Sequence, residues 1–96
     1  MFLTYKQKFN AKYGFPKDAS HSIAEIAKLT GYKKRGLEII LEKGKGAFFS
    51  NRKSVRPHIT SPEEWGMARI YASITDGSKS SKIDKSHLIK GTAVPL

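Results

Sequence analysis

Residues 23–42, IAEIAKLTGYKKRGLEIILE, constrain this chain more than any other stretch. Apolar side chains recur at helical spacing before a glycine and again after it, no proline interrupts, and Ser22 stands in front where a helix N-cap belongs. The pattern predicts two short amphipathic helices joined by a tight turn. Ile23, Ile26, Ala27 and Leu29 or Thr30 face inward on the first, and Leu37, Ile40 and Leu41 on a second that runs from about Lys34 to Lys43. Gly31 supplies the positive φ that stops the first helix, and Gly44 is the expected cap of the second. Helices this short are marginal in water, so the rest of the chain must cover them.

Two further helical patterns can do so. Tyr5, Phe9 and Tyr13 fall at spacing four within Thr4 to Tyr13, a core-facing stripe closed by Gly14 and Pro16. Ser61, with Pro62 in the first helical position, starts a helix through Trp65, Ala68, Ile70 or Arg69, Ala72 and Ile74 that ends at Asp76-Gly77, with Trp65 expected as its core anchor. Ser22 and Ser61 are each followed three residues later by a glutamate, Glu25 and Glu64, the spacing of a reciprocal capping box. Gly36, inside the third helix, costs on the order of 1 kcal/mol against alanine and so signals a close backbone approach. Residues 44–60, GKGAFFSNRKSVRPHIT, read as an irregular basic loop with one brief extended piece and with Phe48 and Phe49 tucked into the core. The expected fold class is mainly α, about four short helices with a central helix-turn-helix, over a domain of residues 1–77. Residues 78–96 follow as a basic extension, or as a strap anchored by Ile83, Leu88 and Ile89.

Charge decides what such a domain meets. On 96 residues the chain carries 18 Lys and Arg against 8 Asp and Glu, a net charge of +10. The excess is in blocks: residues 1–17 hold Lys6, Lys8, Lys12 and Lys17 without an acid, and residues 43–60 hold Lys43, Lys45, Arg52, Lys53 and Arg56 without one. A third basic stretch covers residues 77–96, while residues 18–42 are balanced. The natural partner of such a surface is a polyanion, nucleic acid before anionic membrane. No cysteine is present, which excludes disulfides and thiolate zinc sites, and no apolar run approaches a membrane span. The opening MFLTYKQKF turns polar too early for a signal peptide, so the expectation is a protein that is not secreted. His21, His58 and His87 are scattered and read as capping or surface residues; no nucleophile elbow, phosphate-cradling glycine loop or metal-ligand spacing occurs, so neither catalysis nor a cofactor or metal is expected.

The spacing of Ala27, Gly31, Leu37 and Ile40 resembles the DNA-binding helix-turn-helix of repressors and recombinases, and equally suits a structural helical hairpin. In the first case the outer face of the second helix presents Lys33, Lys34, Arg35, Glu38, Ile39 and Glu42. The three cations suit phosphate or guanine contact; the two carboxylates argue against sequence-specific reading. Lys43, Lys45, Asn51, Arg52, Lys53 and Arg56 complete the candidate nucleic-acid contacts, in a segment where aromatics, amides and guanidiniums interleave. No heptad or exposed apolar stripe demands a two-fold partner.

The ordered segments KYGFPK, SHSIAEIAKLTGY, GLEII, KGKGAFFSN, SVRP, SPEEWGMARIYAS and KIDKSHLIK resemble a small uncharacterised basic domain family of large DNA viruses and marine phages. The resemblance implies a viral origin and an association with the viral genome or virion, located in the host cytoplasm or nucleus or in the particle; it transfers no catalytic residue. Beside duplex DNA binding it leaves open a minor virion or adaptor protein whose basic surface faces genome or protein, and RNA binding through the loop and tail.

Overall fold

Among the described residues, four of the five α-helices begin where a short polar side chain accepts from a free backbone N–H. In a computed structural model of the chain, in which residues 3–50, 59, 61–75 and 77–89 are described, the first such residue is Thr4. Its hydroxyl accepts from the Gln7 N–H at 3.1 Å while the Gln7 side chain accepts from the Thr4 N–H at 3.0 Å, a full capping box that opens α1, Tyr5–Tyr13. Ser22 caps α2, Ile23–Thr30, and Gly31, at φ 80°, ends it. After the turn through Lys33 comes α3, Lys34–Ser50, followed by α4, Pro62–Ser73, capped by Ser61, and α5, Lys79–Ile83, capped by Ser78. A 3-10 turn, Lys85–His87, follows α5. The fold is mainly helical, with no strand among the described residues.

The core gathers one or two side chains from each long helix: Phe9 from α1, Ile26 from α2, Leu37 and Ile40 from α3, and Ile70 and Tyr71 from α4. The broadest contact is between α3 and α4. It closes on glycine: a Cβ on Gly44 would lie 2.6 Å from the Gly66 Cα, and one on Gly66 would lie 2.8 Å from the Leu41 carbonyl oxygen. The two backbones therefore cross closer than any side chain would permit.

That crossing corrects the expected end of the third helix. Gly44 does not cap it; α3 continues through Gly46 to Ser50, so the first part of the expected irregular loop is helical. Helix continuation is favoured because Gly44 and Phe48 extend the buried face of Gly36, Leu37 and Ile40 by another two turns against α4. Phe48 is buried as expected, but Phe49, on the opposite side of α3, is 66% exposed. Trp65 is only half-buried and stands outside the core cluster; Ile70 and Tyr71 anchor α4 instead.

The expected capping box at Ser22 is half realised. The Ser22 hydroxyl accepts from the Glu25 N–H at 3.1 Å, while the Glu25 carboxylate bonds His21 Nδ1 at 2.9 Å. His21 is thus no surface residue: it is buried, its Nε2 donates to the Asn10 side-chain oxygen at 2.6 Å, and Phe9 and Phe15 flank its ring. Asn10 in turn donates to the carbonyls of Lys17 and Ala19, tying the connection between α1 and α2 down to α1.

Residues 78–89 lie on the helical body by a route the apolar pattern did not indicate. Ile83 and Ile89 are more than half exposed, and of the three expected anchors only Leu88 packs on the core. The anchor is polar: Asp84, fully buried, between α5 and the 3-10 turn.

Candidate nucleic-acid interface

Lys33 ends the turn after α2, and Lys34 and Arg35 form the first turn of α3. Gly36 and Leu37, next in the chain, are buried, which leaves the three cations in front of them on the outside. All three are exposed, and none forms an ion pair among the described residues. The positive end of the α3 dipole adds to their field.

Farther along, the outer face of α3 changes sign. Glu38 and Glu42 are exposed, and Lys45 lies between Glu42 at 3.4 Å and Glu63 of α4 at 3.9 Å. Lys43 turns toward the strap and reaches Asp84 at 3.3 Å. Of the cations expected to form one site, the structure groups Lys33, Lys34 and Arg35, while Lys43 and Lys45 each have acid partners. Asn51, Arg52, Lys53 and Arg56 lie outside the described residues.

Asp84 organises the other side of α3. Arg69 of α4 grips it with two bonds, Nε to Oδ2 at 3.0 Å and Nη2 to Oδ1 at 2.9 Å, and the Ser73 hydroxyl donates to Oδ2 at 2.6 Å. Burial alone would raise this carboxyl, but the bonds from Arg69, Ser73 and Lys43 and the Arg69 charge outweigh it and lower its pKa from 3.8 to about 2. The convergence of Arg69, Ser73 and Lys43 on Asp84 is not legible in the sequence, because no periodicity connects residues this far apart. Lys82 and Lys85, on either side of Asp84, are exposed and were also missed.

A cleft of about 880 Å³ beside α1 and α4 mixes Lys6 and Arg69 with Asp18, Glu63 and Glu64 along with Tyr5 and Trp65, so it does not focus a field of one sign. Among the described residues no group of three or more His, Asp or Glu side chains is placed to hold a metal ion, and no helix is long and apolar enough to cross a membrane. Comparison of the chain with family models, with curated proteins and with solved structures gave no match. The resemblance to the viral domain family therefore rests on the sequence segments alone.

Proposed function

We propose that the chain binds nucleic acid, duplex DNA first, by phosphate contacts centred on the turn before α3 and its first turn. One observation carries this: three consecutive cations, Lys33, Lys34 and Arg35, stand exposed, without an acid partner among the described residues, on a chain of net charge +10. Glu38 and Glu42 share the outer face of α3, where a base-reading helix would enter the groove, and support contact with the backbone in preference to base edges. The segments resembling the viral domain family support the further proposal that the polyanion is a viral genome, in the infected cell or in the particle.

Titration of a random-sequence duplex at about 50 and 200 mM salt tests this reading. Three neutralised phosphates contribute a log–log slope of about −2.7, or roughly a fortyfold loss of affinity over that range. Replacing Lys33, Lys34 and Arg35 together by alanine should flatten the slope by about that amount. A flat salt dependence, or a triple variant that binds like the unmodified chain, overturns the reading; stronger competition by single-stranded RNA than by duplex transfers it to RNA.

A further inference from the structure

The strap and the helix-turn-helix meet along one side of α3. Residues 36, 40 and 43 share that side at helical spacing. Gly36 is glycine because the His87 carbonyl lies against it, where a Cβ would overlap that oxygen. At one end of this contact Lys43 reaches Asp84, and at the other the Lys33 N–H donates to the Ile89 carbonyl at 2.8 Å. Residues 84–89 therefore run antiparallel to the first half of α3, ending beside the turn that carries Lys33.

This docking sorts the charges of the strap. Asp84 is the one acid in residues 77–96, and its carboxylate is turned inward onto Arg69, Ser73 and Lys43. Lys82 and Lys85 flank it in sequence, are exposed, and form no ion pair among the described residues. Burying the acid leaves the outward side of this stretch positive, beside Lys43 and roughly 13 Å along the α3 axis from the cations at its N-terminus.

We infer that Lys82 and Lys85 are further phosphate contacts, set along α3 from Lys33, Lys34 and Arg35 and joined to them by the docked strap, so that a duplex backbone lying along α3 meets both groups. The inference rests on the reading that the partner is a nucleic acid. Asp84 holds this surface together and does not touch the partner.

The test compares two charge-matched variants of the full chain on a random-sequence duplex: Lys82→Gln with Lys85→Gln, and Lys8→Gln with Lys12→Gln on α1. Two lost contacts should flatten the salt slope of the strap variant by about 1.8, which shrinks the affinity lost between about 50 and 200 mM salt by roughly twelvefold. The α1 variant should keep the slope of the unmodified chain. Amine-reactivity footprinting is an independent readout: on addition of duplex, Lys33, Lys34, Lys82 and Lys85 should lose reactivity together while Lys8 and Lys12 retain theirs. Equal slopes for the two variants, or undiminished reactivity of Lys82 and Lys85 in the bound state, overturn the inference while leaving the proposed function standing. Failure of the unmodified chain to bind overturns both.

Discussion

The Arg69 guanidinium holds the Asp84 carboxylate by two parallel hydrogen bonds, at 2.9 and 3.0 Å, and the carboxylate has no exposure to solvent. A buried charge held this way is expensive to orphan, because the ion left behind keeps its desolvation cost and loses its compensation. Arg69→Ala should therefore destabilise the protein by about 3 kcal/mol or more. Arg69→Lys should recover only part of that, since an ammonium cannot reproduce the fork. Denaturant melts of the three proteins check the order.

The same pair sets a dependence on acid. Because Asp84 is lowered from 3.8 to about 2 on folding, its contribution is fully present above about pH 4 and is lost as the pH falls toward 2. The full amplitude is about 2 kcal/mol. Stability measured between pH 5 and 2 should fall along this limb, and Asp84→Asn, less stable at neutral pH, should show a shallower fall. An equal slope in both proteins would remove Asp84 as its source.

Two glycines of α3 should respond in opposite directions to alanine. At Gly46 a Cβ meets nothing within 4 Å, so Gly46→Ala should stabilise by up to about 1 kcal/mol through helix propensity. At Gly44 the same methyl would lie 2.6 Å from the Gly66 Cα, backbone that cannot swing aside, and Gly44→Ala should cost about 1–3 kcal/mol net. Thermal unfolding of the two single variants is sufficient to check the signs.

Asn10 joins three partners on the connection between α1 and α2: the carbonyls of Lys17 and Ala19, and His21 Nε2. Asn10→Ala leaves these groups without their partner and should cost about 1–3 kcal/mol. Amide hydrogen exchange should show the loss concentrated in residues 14–22. Uniform loss of protection throughout the helices would mean that this connection does not open independently.

Much of the architecture was legible from local pattern. Ser22, Ser61 and Gly31 marked helix ends because capping depends on a hydroxyl or a left-handed φ within one turn. The same logic failed at Gly44, where glycine serves a crossing helix that no window of neighbouring residues contains. His21, expected at the surface, is buried, and Trp65, expected in the core, is only half-buried, for a similar reason. Partners eleven residues away in sequence and beyond determine whether a ring is buried, and local spacing carries no record of them. In the candidate interface, Lys33, Lys34 and Arg35 were found from position next to a turn, whereas Lys82 and Lys85 looked like ordinary tail residues.

The sequence by itself determined the helical class, the turn at residues 31–33 and the excess of positive charge, because periodicity, caps and net charge are properties of neighbouring residues or of a simple count. Only the tertiary structure decided which charges face outward together. Asp84 is neutralised by Arg69 and Lys43, residues 15 and 41 positions away, and that long-range pairing leaves Lys82 and Lys85 exposed on a strap docked beside α3. A carboxylate can be withdrawn from solvent only where folding brings its donors into one place, and that requirement settles the sign of the surface around it.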